Sequence, residues 1–255
     1  MLTVQQIADF IDARAPFATQ LDFDNCGLLV GDPAAEVRGV HAALDCTDAV
    51  IDEAIAAGAN VIVTHHPVIF SGRKHLREDD PEARMLCRLI RGRIAVISAH
   101  TCLDAAPGGV NDVLAERLGL VNVSGEGFLR VGDLPKPLPA AEAAARIGAQ
   151  LGDTVRLMGD PARTVSRIGL CSGSGSEYWQ DARALGADAF LSGEIRHHHA
   201  LSAVAAGMVC FECGHHATEE PGIFALADAL QNWDDVVKCN VCVTKSQVSA
   251  YMRSL

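Results

Sequence analysis

The sequence predicts an α/β protein made of two related three-layer domains that arose by internal duplication, with a metal site in the cleft between them. Three observations carry that expectation. Short apolar runs that read as strands alternate with longer segments of helical periodicity. A strand–turn–helix–strand unit is written twice in the chain. Histidines and carboxylates gather just past the strand-like runs, where open α/β sheets place their functional groups.

At the N-terminus, Val4, Ile7, Ala8 and Ile11 follow helical spacing and predict an amphipathic first helix. The same stretch lacks a basic n-region and a long apolar core, so no signal peptide is expected and a cytoplasmic location is. With 255 residues, 49% of them hydrophobic, the chain has enough apolar surface for one large or two modest domains. No run approaches the roughly 18–20 apolar residues that a membrane span requires. The formal net charge of −11 argues against nucleic acid as a partner. The most basic stretch, RKHLREDDPEAR, alternates its signs and reads as a solvated surface loop.

Nine cysteines, an odd number, are scattered through the chain and fit a reducing compartment better than a disulfide framework. The pairs Cys210/Cys213 and Cys239/Cys242 have the Cys-x-x-Cys spacing of a thiolate zinc site. Both lie in strand-like text, MVCFEC and VVKCNVCV, where residues three apart face opposite ways. They are expected to be small buried hydrophobes.

The repeat is the main organising feature. Residues 39–66 align with 167–194 at an offset of 128: apolar strand, small polar turn, helix, Gly-Ala-Asn or Gly-Ala-Asp, apolar strand. Gly58 matches Gly186, as expected of a left-handed helix cap. The paired strands then run into His65-His66 and Gly193-Glu194. A second alignment, at an offset of 115, joins 93–109 to 207–222. In each, a strand ends in a histidine, an acid follows four residues on, and Pro-Gly comes soon after. The matched pairs are His100 with Asp104 and His215 with Glu219. A linker is expected in the Gly- and Pro-rich stretch 123–139, giving half-domains 1–125 and 126–255, intertwined, with the C-terminal segment contributing to the shared cleft.

Each histidine cluster alone has a plain reading, as a strand cap or a surface pair. Their conjunction at three strand ends points instead to a metal. Imidazoles with carboxylates suit zinc, iron or manganese. Five or six such ligands exceed the need of one tetrahedral ion, so two divalent ions bridged by a carboxylate are the economical reading. A second cluster, His197, His198 and His199, opens a helix-forming segment. Within GEIRHHH, Glu194 and His198 are candidate cleft-lining groups, whereas His41 and His75 read as structural or surface residues. GSGSE, at 173–177, lacks the spacing of a P-loop or dinucleotide fingerprint and reads as a strand–helix turn. In GHHATEE, His215 and Glu219 have counterparts in the other half, while His216 and Glu220 have none.

The stretches DNCGLLVGD, THHPVIF, SAHTCLDAAPGGVNDVLAERLGL, GFLRVGDLP, LSGEIRHH and GHHATEEPGI, in this order and over nearly the whole chain, resemble the GTP cyclohydrolase 1 type 2 homologue family. The resemblance implies two related α/β domains, a pair of metal ions and a toroidal homohexamer. It implies His65, His66, Asp104, His215 and Glu219 as ligands, with Glu219 as the bridge and His100 close by as a neighbour or occasional ligand. His100, Glu194 and His198 are then the candidates for catalytic roles. The chain departs from the family pattern at Cys102, where Asn is common, and at Glu220-Pro221, where a basic residue is often found. Its length leaves no room for the large domain that some members insert between the halves. The implied activity is a metal-dependent hydrolase that turns activated water on a nucleotide-like or other small substrate, GTP cyclohydrolysis among the options. The alternative is a non-catalytic metal-binding ring acting as scaffold or regulator.

Overall fold

A computed structural model describes residues 1–248. Two compact units divide the described residues: Met1–Ala106 together with 223–248, and Pro107–Gly222. Among the described residues the chain therefore changes unit at two places, and each is a Pro-Gly shortly after a candidate acid, Asp104 or Glu219. This division differs from the expected one at 125/126. Residues 107–125 belong with the second unit because β5 (Val121–Ser124) pairs antiparallel with β6 (Arg130–Pro139). The segment from Ile223 returns to the first unit, where β11 (Cys242–Lys245) runs parallel to β2 (Gly39–Ala43).

The first unit carries a five-stranded sheet in the order β1-β4-β3-β2-β11, with β1 at Gly27–Val30, β3 at Val61–Thr64 and β4 at Ala95–Ser98. Only the pairing of β1 with β4 is antiparallel. Helix α1 (Val4–Asp12) starts with a capping box between Thr3 and Gln6 and buries Val4, Ile7, Ala8 and Ile11, as their spacing predicts. Helices α2 (Asp48–Ala56) and α3 (Pro81–Gly92) lay Ile51, Ala54, Leu86 and Leu89 against Ala43, Ile62 and Val96 of the sheet. Val61 and Val63 are buried on the opposite face, so β3 is apolar on both sides, as parallel strands are. The loop 71–80 is solvated, as its alternating charges predict, but PEAR forms the first turn of α3, capped by Asp80 with Pro81 at the start.

The second unit carries a six-stranded sheet in the order β5-β6-β8-β9-β10-β7, with β7 at Arg156–Met158, β8 at Thr164–Cys171, β9 at Ala189–Ser192 and β10 at Val209–Glu212. Its core is in two layers. Ile168, Leu170, Leu191 and Phe211 meet α5 (Val110–Arg117) and α6 (Ala140–Leu151) through Leu114, Ala143 and Ile147. Their chain neighbours Cys171, Phe190 and Cys210 face Ala182 of α7 (Trp179–Ala184) and Ala200 and Ala203 of α8 (His197–Ala205). The alternation along each strand is the period of two that sends neighbours to opposite faces.

The duplication is visible in the topology. Strands β2, β3 and β4 are parallel neighbours with β1 added antiparallel at β4; β8, β9 and β10 repeat this with β7 added antiparallel at β10. Gly58 and Gly186, both with positive φ (71° and 84°), end the matched helices α2 and α7.

Two expectations fail. The stretch 123–139 is not a linker: most of it is β6, inside the second sheet. Its prolines are tolerated because Pro135 and Pro137 lie in the irregular register between Asp133 and Leu138, beyond the part of β6 that β5 pairs. VVKCNVCV is not one strand either. Asp234–Lys238 forms helix α10, whose first turn holds two acids and whose last holds Lys238, a charge order that favours a helix. Cys239 and Cys242 are consequently exposed, whereas Cys210 and Cys213 are buried among apolar side chains as expected.

Candidate metal centre

In the first unit the ligand candidates sit at adjacent strand ends. His65 and His66 follow β3, and their backbone N–H groups both donate to the Leu44 carbonyl, at 3.1 and 3.0 Å. Pro67 comes next, and its ring disfavours the α region for His66. His100 follows β4 and precedes the short helix α4 (Thr101–Ala105), whose first turn carries Asp104. One ring nitrogen each from His65, His66 and His100 falls within 4.8 Å of the others. Asp104 joins them, its Oδ1 3.5 Å from His65 Nε2.

The outer hydrogen bonds decide which nitrogen each ring presents. His65 Nδ1–H donates to the Ala99 carbonyl at 2.8 Å. His66 Nδ1–H donates to Asp45 Oδ1 at 2.7 Å, and His100 Nδ1–H donates to Asp24 Oδ1 at 2.9 Å. With Nδ1 carrying the proton, Nε2 keeps the lone pair in all three rings. That is the tautomer and the oxygen-backed arrangement of metal-ligating histidines. The Asp24 side chain is fully buried. Burial opposes its charge, but hydrogen bonds from His100, the Thr101 hydroxyl and the Asn25 N–H outweigh it and hold the carboxyl well below the usual carboxylate range.

The second unit holds a His–acid pair of its own. His215 opens helix α9 (His215–Gln231), and Glu219, one turn later, places Oε2 2.9 Å from His215 Nε2. His215 Nδ1–H donates to Glu194 Oε1 at 3.1 Å, so this fourth ring also presents Nε2. Glu194 in turn accepts from the Ser174 hydroxyl at 2.6 Å. That bond, aided by His215 and opposed by partial burial, holds its carboxyl below the ordinary value. Glycines make room for this packing. A Cβ on Gly173 would stand 2.0 Å from Glu219 Oε1, and one on Gly193 would stand 2.7 Å from the Gly173 carbonyl and 2.8 Å from His215 Cα. Gly173 also has φ +55° and donates its N–H to Thr218 Oγ1 at 3.1 Å. GSGSE is thus a strand–helix turn that cradles the His215–Glu219 pair.

Beside His66 lies a cavity of about 620 Å³ within the first unit. Asp45 and His66 form one part of its wall, Val68, Phe70 and Met85 an apolar part, and Arg73 a charged part. Its size falls in the range of small-molecule pockets. Arg73 is held by Asp80 at 3.0 Å and by Glu82.

Glu194 is thus bonded to His215, and His100 lies beside His65 and His66. His198 is exposed on α8 with its ring 4.3 Å from that of His199, outside the cluster. His216 pairs loosely with Glu220 at 3.4 Å along the same helix. His41 is a buried structural residue held by Thr244 at 2.8 Å and Glu53 at 3.2 Å, and His75 is exposed. The residues behind the ligands, Asp24, Asp45 and Ser174, escaped sequence reading. Asp45 had a signal, since it follows the end of β2 as His66 follows that of β3. Among the described residues no helix is long and apolar enough to cross a membrane.

A family model described as Duf34/NIF3 (NGG1p interacting factor 3) matches residues 2–250. A Clostridium acetobutylicum protein named GTP cyclohydrolase 1 type 2 homolog is 31% identical, with 90% of each chain covered. A Streptomyces coelicolor protein of the same name is 34% identical, over 87% of this chain and 83% of that one. Among solved structures, Staphylococcus aureus protein SA1388 superposes with a TM-score of 0.94 at 29% identity, over 100% of this chain and 99% of that one.

Proposed function

The chain belongs to the Duf34/NIF3 family, and from that premise we propose that it is a metal-dependent hydrolase acting on a nucleotide-like or other small substrate. Two divalent ions, zinc, iron or manganese, would be held by His65, His66, Asp104, His215 and Glu219, with Glu219 as the bridge. One observation carries the reading: four imidazoles each have Nδ1 tied to an oxygen, so that each offers Nε2 beside a buried carboxylate or beside one another. Such a donor set fits borderline divalent ions and not calcium or magnesium, which prefer oxygen ligands. When bound, the ions would supply acidified water and Lewis-acid polarisation of the substrate.

The protein's own groups account for the rest. Asp24, Asp45 and Glu194 fix the ring tautomers. Asp104 and Glu219, both buried, supply negative charge that offsets the ions. The cavity beside His66 takes the substrate, Phe70 and Met85 offering apolar contact. GTP cyclohydrolysis, the reaction in the relatives' names, is one member of this class. Assembly as a homohexameric ring belongs to the same proposal.

The test is turnover of GTP and a panel of phosphoesters by protein loaded with zinc, manganese or iron, wild type against Glu219→Gln. Metal content of protein purified without added metal is measured in parallel. Turnover that is lost in the variant supports the hydrolase. Two tightly held ions with no turnover on any substrate would favour the non-catalytic ring.

A further inference from the structure

Two thiols meet beside the strand ends of the first unit. Cys26 precedes β1 and Cys102 lies in α4, yet the antiparallel ladder sets Gly27 opposite Ser98. The residue before β1 is thereby brought to the residues that follow β4. Cys102 Sγ donates to Cys26 Sγ across 3.4 Å. Cys26 Sγ also accepts the His100 backbone N–H at 3.3 Å and directs its own S–H to Asp24 Oδ2 at 3.3 Å. The two differ in access: Cys26 is part-exposed and Cys102 is buried.

We propose that Cys26 and Cys102 are a redox-active dithiol that closes to a disulfide when a peroxide reaches Cys26. The access difference sets the order of events. Cys26 sulfur attacks one oxygen of hydrogen peroxide, the O–O bond breaks, and the first water leaves with the thiol proton. This makes a sulfenic acid at Cys26. Cys102 sulfur then attacks Cys26 sulfur, the S–O bond breaks, and the hydroxyl leaves with the Cys102 proton as the second water. The two sulfurs have each lost one electron, and the peroxide has gained two. A reducing dithiol reverses the step by thiol–disulfide exchange.

The pair is wired to the histidine cluster. Asp24, which accepts the Cys26 S–H, is the same carboxylate that orients His100, and Cys102 stands between His100 and Asp104 in α4. Closing the disulfide draws Cys26 Sγ toward Cys102 and away from Asp24. The inference stands on the thiol geometry and does not depend on which reaction the protein catalyses.

The experiment treats the full chain with stoichiometric hydrogen peroxide, alkylates the remaining thiols, digests without reduction and maps the peptides by mass. The expected result is a Cys26–Cys102 linked peptide, two hydrogens lighter than its parts and several-fold more abundant than any other cysteine pairing. Dithiothreitol should restore both thiols to alkylation, and Cys102→Ser should stop at a Cys26 sulfenic acid trapped by dimedone. If Cys26 and Cys102 stay fully alkylatable while other cysteines oxidise, the proposal fails. It fails equally if Cys26 proceeds to sulfinic acid in the wild type with no linked peptide. The wild-type map decides the matter even where the variant folds poorly.

Discussion

Replacing Gly173 by alanine probes the carboxylate proposed to bridge the metals without touching a ligand. The glycine sits at φ +55°, and its missing Cβ would lie 2.0 Å from Glu219 Oε1 and 3.3 Å from His215 Nε2. Real Cβ contacts do not fall below 3.0 Å, so the Glu219 carboxylate must withdraw by about 1 Å (3.0 − 2.0). Metal–ligand distances tolerate about 0.2 Å, so the displaced oxygen no longer ligates. Metal affinity should fall by at least the 10–100-fold typical of losing a group that orients a ligand.

The backbone contributes separately. Alanine in the left-handed region costs about 1–2 kcal/mol, offset by about 0.4–1 kcal/mol from the stiffer unfolded chain. The net of roughly 1 kcal/mol lowers Tm by about 2–4 °C for a chain of this size. Gly186→Ala is the matched control, because Gly186 has φ +84° with nothing within 4 Å of its would-be Cβ. Both variants should lose similar stability as apoprotein, measured by thermal unfolding in chelator. Only Gly173→Ala should lose metal, measured by elemental analysis and competition with a chromogenic chelator. Equal metal affinity in the two variants would refute the placement of Glu219 as a ligand.

Asp24→Asn should destabilise the protein by about 1.5–3 kcal/mol at pH 7, the scale for hydrogen bonds to a buried charge. Because the folded state depresses the Asp24 carboxyl, its contribution is present above the unfolded value near 4 and is lost as pH falls. The gap between the urea midpoints of wild type and variant should therefore be constant above about pH 5, begin to narrow near pH 4 and go on narrowing below pH 3, and a gap independent of pH would contradict the assignment. Arg130, buried and bonded to Asp112, Gly127 and Leu129, should cost about 3 kcal/mol when changed to Met, read by urea denaturation; a change under 0.5 kcal/mol would mean that Asp112 rehydrates freely. Gly222→Ala sets a Cβ 2.8 Å from Val110 Cα, so overpacking of about 1–3 kcal/mol should outweigh the gain in helix propensity; a rise in Tm would show that the contact yields. Stripping metal with EDTA should lower Tm in the wild type and leave Glu219→Gln almost unchanged, since only a ligand bound to the folded state stabilises it.

Much of this fold could be read locally. The spacing of Val4, Ile7, Ala8 and Ile11 is a helix face, and their burial needed no long-range knowledge. The repeat singled out His215 and Glu219 in GHHATEE; in the fold these two lie 2.9 Å apart, while His216 turns to Glu220 at 3.4 Å. The misreadings have one cause. Gly and Pro in 123–139 signal a break, but the irregular register after Asp133 absorbs the prolines, and register belongs to strand pairs. The same holds for the groups behind the ligands. Asp24 meets His100 across 76 residues of chain and Asp45 meets His66 across 21, because β1, β4, β3 and β2 lie side by side in that order.

The sequence by itself determined the α/β class, the duplication and the residue types of a candidate metal site, since periods of 2 and 3.6 and a repeated His-x-x-x-acid are local properties of a chain. Only the tertiary structure decided which nitrogen each histidine presents, where a glycine must stay a glycine, and that Cys26 touches Cys102. Those depend on which distant atoms the fold brings within about 3.5 Å, and hydrogen bonds act only at such short range.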